Sequence, residues 1–176
     1  MAEDSALPRP QAGEIRLRLF DGRAWGQPIA VTQDTRPDFN PQVAFDASGR
    51  AMVVWLQNKI EDLSPDSGLD ERFLRNLEVA YAVVEPKTGS VTASGRLTND
   101  EALDFDLRLS AGHDGTLWAA WQSSPQAISV GDPQAANQLK AAAWDGQKWS
   151  PVETITNQLT GTLWWSLAAF DKNSVG

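Results

Sequence analysis

Three landmarks of this chain recur at one spacing. Val31-Thr32 returns as Leu97-Thr98, Gly49 as Gly115 and Trp55 as Trp121, each pair 66 residues apart. A second spacing of 124 residues links Asp21-Gly22, Trp25 and Thr32 to Asp145-Gly146, Trp149 and Thr156. Ala44-Phe45-Asp46 returns as Ala169-Phe170-Asp171 with one residue inserted. A fixed period of this length marks a repeat architecture, in which each copy is one supersecondary unit that must bury its apolar faces against neighbouring copies.

The unit reads as four strands, A to D. In the clearest copy, A spans 41–46, a tight turn follows at Ala47-Ser48-Gly49, B spans 51–57, C spans 77–84, and a turn at Pro86 to Gly89 leads to D at 90–97. The second copy places A at 107–111, B at 116–123, C at 139–144 and D at 149–155. In the first strand B, Ala51, Val53 and Trp55 point one way and Met52, Val54 and Leu56 the other, so both faces are apolar. A sheet solvated on one side would alternate with polar residues. A sheet packed between two neighbours would not, which predicts an all-β chain of four-stranded antiparallel blades, a β-propeller-like repeat. A β-sandwich is the alternative fold.

The predicted organisation is an extended segment at 1–13, a partial blade at 14–32 (strands C and D), full blades at 41–97 and 107–155, and the first strand of a further blade at 163–176. Propellers close with about four to eight blades. These strands form an incomplete ring, which predicts that further blades come from the same or another chain.

Composition removes several functions. The formal charge of −8 repels phosphate backbones and argues against nucleic acid. There is no cysteine, and His113 is the single histidine, so no zinc site of His and Cys ligands can be assembled. No apolar run approaches the roughly 20 residues of a membrane-spanning helix. Polar Met1 to Ser5 lacks the apolar region of a signal peptide, which leaves a cytoplasmic protein or one whose signal was removed.

The strings Asn40 to Gly49 through Trp55, and Leu97-Thr98 through Asp114-Gly115, resemble repeats of bacterial extracellular β-propellers, the sialidase-like propellers and related repeat proteins. Ser110 through Trp118 is similar to the sialidase Asp-box, with a different spacing. The resemblance implies an extracellular or periplasmic protein. It also implies, for a sialidase-like glycoside hydrolase, an arginine cluster, a tyrosine nucleophile with a glutamate, and an acid. The single tyrosine, Tyr81, lies within strand C, and Arg36 and Arg108 form no evident cluster. No catalytic residue is assigned, and a non-catalytic module is expected.

Strand parity puts the loops after B and after D on one face. The after-B loops, 58–76 and 124–138, are far longer than ordinary hairpin connections. Insertions gathered on one face of a repeat protein mark a binding surface. The expected function is therefore recognition of a glycan or protein partner through this face, with a structural scaffold as a further alternative. Candidate binding residues are Arg36, Asp38, Asp70, Arg72, Asp104, Asp106 and the Trp164-Trp165 pair, one of which could stack on a sugar ring. Acidic residues crowd the same face, and oxygen clusters of this kind suit Ca²⁺, although no EF-hand spacing is present; the expectation is no cofactor. Trp55 and Trp121 read as packing residues, as do Trp25 and Trp149. Asp70 to Asn76 reads as a short helix, and Asp132-Pro133 as a helix N-cap.

Overall fold

The computed structural model describes residues 13–61, 71–126, 132, 134–160 and 165–175. Among these residues twelve strands occur: β1 (Arg16–Leu17), β2 (Ile29–Ala30), β3 (Asp38–Phe45), β4 (Ala51–Asn58), β5 (Leu77–Glu85), β6 (Ser90–Arg96), β7 (Leu103–Ala111), β8 (Leu117–Ser124), β9 (Ala136–Trp144), β10 (Glu153–Thr160), β11 (Ala169–Asp171) and β12 (Ser174–Val175). Among the described residues there is one helix, α1 (Glu71–Leu74). Two antiparallel four-stranded sheets, β3-β4-β5-β6 and β7-β8-β9-β10, are flanked by the two-stranded pairs β1-β2 and β11-β12. Among the described residues the ring is open, and the architecture is that of propeller-like blades.

The two apolar faces of β4 fill separate cores. Met52, Val54 and Leu56 face the second blade and meet Leu107, Leu117, Ala119, Trp121 and Trp144. Ala51, Val53 and Trp55 face the half-blade and meet Ile15, Leu17, Ile29 and Val31. A third cluster joins Phe73 and Leu74 of α1 to Leu103 and Phe105 of β7. Three layers thus stack in series, and burial on both faces is what the sequence of β4 demands.

The threonines of the repeat have one shared task. Thr32, Thr98 and Thr156 accept the backbone N–H of Ile15 (2.8 Å), Val79 (2.8 Å) and Leu139 (3.4 Å) through Oγ1. The same bond in each copy identifies β1-β2 as the C and D strands of a blade.

Several boundaries differ from the sequence reading. β3 and β7 begin earlier than predicted, because each continues through a bulge at Asn40 and Asp106 with φ of 49° and 52°. Asn and Asp tolerate this left-handed backbone better than most residues. β10 runs later than predicted, to Thr160. Of the further blade predicted at 163–176, residues 163 and 164 lie outside the described residues, 165–168 form no strand, and β11 covers Ala169–Asp171 before β12 completes its hairpin. Asp132 caps a turn, through Gln134 N–H at 2.9 Å, rather than a helix, since β9 starts at once. Trp149 packs against Tyr81 and Trp144, but Trp25 is exposed and touches Phe20 alone among the rings, because no described sheet covers that face of the half-blade.

Candidate functional site

On the long-loop face, a polar cleft of about 420 Å³ lies between the half-blade and the first full blade. The end of the half-blade supplies Thr32, Gln33, Asp34 and Arg36; β4 supplies Trp55 and Gln57; β5 and β6 supply Tyr81, Ser94, Gly95 and Arg96. Arg96 donates through Nε (3.2 Å) and Nη2 (2.9 Å) to the Gln57 amide oxygen. No acid among the described residues forms an ion pair with Arg96. Arg36 pairs with Asp34 (3.5 Å) and with Glu61. Beneath the cleft, Asp38 Oδ1 accepts Trp55 Nε1–H at 2.7 Å and the Gln57 amide at 3.1 Å. Burial raises the Asp38 pKa above the usual value, opposed by hydrogen bonds from Thr32, Gln57 and Trp55.

One repeat later the same positions make a different environment. Asp104, 66 residues after Asp38, is fully buried with Glu78, and Asp100 lies beside them. These three carboxylates can place oxygens within 4.8 Å of one another. Neither oxygen of Asp104 has a well-formed hydrogen bond. Burial pushes its pKa up to about 7, with the Thr98 and Ser123 hydroxyls nearby holding it down and the Asp100 charge adding to the rise. Lys59 Nζ already contacts Glu78 at 2.7 Å and also donates to the Asp100 carbonyl. Lys140 lies 3.7 Å from Asp100. The donor set of the triad suits a hard cation. Two ammonium groups, Lys59 and Lys140, already stand beside Glu78 and Asp100.

The structure divides the predicted site residues. Arg36 lines the cleft. Asp38 and Asp104 are buried strand residues rather than loop residues, because the bulges extend β3 and β7 through them. Asp106 is structural: its Oδ1 meets Arg108 Nη2 at 2.6 Å and its Oδ2 accepts from Gln122 at 3.1 Å. Arg108 in turn lies over the Trp165 ring, 5.8 Å from its centroid, so this half-buried ring is already occupied by a cation. Arg72 is exposed on α1. Asp70 and Trp164 lie outside the described residues. Sequence reasoning missed Gln57, Lys59, Glu78 and Arg96. Glu78 carried a signal, since an acid interrupts the apolar run Leu77 to Val84 at the start of strand C.

The described end of the first long loop, 71–76, is anchored. Arg75 pairs with Glu71 at 2.9 Å and donates to the carbonyls of Glu101 (3.3 Å) and Pro125 (3.2 Å), joining three loops of this face. Tyr81 is also committed, with its ring 5.8 Å from Trp149 and 6.1 Å from Trp144 across the blade interface. Comparison with protein families and with curated proteins finds no match to this chain. No described helix is long and apolar enough to cross a membrane.

Proposed function

We propose that the protein is a non-catalytic segment of an extracellular or periplasmic β-propeller that binds a glycan in the polar cleft between its half-blade and first full blade. The observation that supports this most is the lining of that cleft. Guanidinium groups of Arg36 and Arg96, the amide of Gln33, the carboxylate of Asp34 and the hydroxyl of Ser94 converge on a space large enough for one or two sugar rings. Such a set offers both donors and acceptors to a hydroxyl-rich ligand, and Gln57 pre-positions Arg96 for it.

A glycosidase reading is less well supported. The carboxyl group held protonated near neutral pH, Asp104, has the pKa of a general acid. However, it and Glu78 are 0 % exposed, so neither can reach a substrate in this state. Tyr81 is held between tryptophans instead of being presented as a nucleophile.

The test is saturation-transfer NMR with a panel of mono- and disaccharides, followed by titration of Arg96→Ala and Arg36→Ala. Loss of one hydrogen bond to a charged group is expected to weaken binding by about tenfold or more. An absence of saccharide binding, or wild-type affinity in both variants, would refute the reading.

A further inference from the structure

One position of the repeat is built differently in its two copies. In the first, Asp38 stands opposite Gln57 in the β3-β4 register. Its Oδ1 accepts Trp55 Nε1–H at 2.7 Å and the Gln57 amide at 3.1 Å. In the second, Asp104 stands opposite Ser123. The shorter serine cannot do what the glutamine amide does. Trp121, 66 residues after Trp55, has no acceptor for its indole N–H among the described residues.

Four oxygens are therefore buried at the second position without a well-formed hydrogen bond among the described residues: Glu78 Oε2, both carboxylate oxygens of Asp104, and Ser123 Oγ. Glu78, Asp104 and Ser123 are each 0 % exposed. Buried oxygens are rarely left unpaired, because each forfeits its hydration. The two lysines do not meet the need. Lys59 Nζ contacts the other oxygen of Glu78, Oε1, at 2.7 Å, and Lys140 Nζ stands 3.7 Å from Asp100 Oδ2. Neither forms an ion pair with Asp104.

The spacing suits one ion of a particular size. Glu78 lies at the start of β5, Asp104 at the start of β7, and Asp100 in the connection between β6 and β7. One oxygen from each lies within 4.8 Å of the other two. Oxygens on opposite sides of Ca²⁺ stand about 4.6–5.2 Å apart, whereas around Mg²⁺ they stand about 4.2 Å apart. The Asp100 side chain is 49 % exposed, which gives a hydrated ion a way in.

We propose that Glu78, Asp100 and Asp104 bind a calcium ion at the junction of the two full blades, with Ser123 Oγ beside it and water completing the shell on the Asp100 side. Coordination releases the Asp104 proton to solvent, so the ion meets three carboxylates against the two ammonium groups. The ion ties β5 of one blade to β7 of the next, and it stabilises the folded chain by mass action. The site is separate from the polar cleft and does not depend on the saccharide reading.

The test is calorimetric titration of the EDTA-treated chain with CaCl₂, alongside its thermal unfolding. The expected result is one ion per chain and a raised unfolding midpoint, with MgCl₂ bound more weakly. Asp104→Asn and Asp100→Asn are each expected to weaken calcium binding by about tenfold or more, with unchanged far-ultraviolet spectra. Asp100→Asn, on a half-exposed side chain, reports even where the buried variant does not fold. No calcium uptake by the wild-type chain, several weak sites with no shift in midpoint, magnesium bound as tightly as calcium, or uptake undiminished in the folded variants would each overturn the proposal.

Discussion

Burial beside Asp100 holds Asp104 protonated up to about pH 7, and this couples stability to pH. In the unfolded chain the group ionises near the ordinary value of 3.8. Between those two values the unfolded state has released a proton that the folded state keeps. The contribution is therefore fully present below about pH 4 and is lost as pH rises to about 7, on the order of a few kcal/mol in all. Asp104→Asn retains the neutral shape and removes the titration. Urea midpoints should show the variant gaining on the wild type between about pH 5 and pH 8, with little difference at the acid end. Parallel curves would mean that Asp104 is not buried as described. Asp46 behaves oppositely: burial works to raise its pKa, but Ser48 and Arg50 hydrogen bonds hold it below the usual range. Side chains at this scale were only partly legible in the sequence. The recurrence of Thr32 and Thr98 was visible, but the burial of Asp38 and Asp104 depends on bulges whose Asn and Asp looked like ordinary loop residues.

At the scale of elements, the A–B turns separate two reasons for glycine. Gly49 and Gly115 occupy the same repeat position, and both have φ of 79°. A Cβ at Gly49 would meet nothing within 4 Å, whereas one at Gly115 would come 2.5 Å from the Ala47 backbone of the preceding turn. Gly49→Ala should cost only the left-handed backbone term, roughly 1–2 kcal/mol. Gly115→Ala should add an overpacking loss of roughly 1–3 kcal/mol, since one turn must move off the other. Equal losses in chemical denaturation would show that the turns do not touch. The strand positions and the glycine turns were readable from period-2 patterning and from the repeat. The contact between turns was not, because nothing local in the sequence of Gly115 reports which neighbour it meets.

The whole molecule is a stack in which each full blade is built for two neighbours. That much was legible in the apolar pattern on both faces of β4, and Met52 and Val53 indeed face different cores. The cleft was less legible, since its residues come from the half-blade, β4, β5 and β6, and only the stacking of sheets brings Arg36 and Arg96 to one space. Face-to-face stacking also explains why Tyr81, on the first blade, meets Trp149 on the second. The most direct test of the stacking is a double-mutant cycle on that pair, Tyr81→Ala and Trp149→Ala, read by urea denaturation. Contact across the interface predicts a coupling of about 0.5–1.5 kcal/mol. Strict additivity of the two losses would contradict the stacked arrangement.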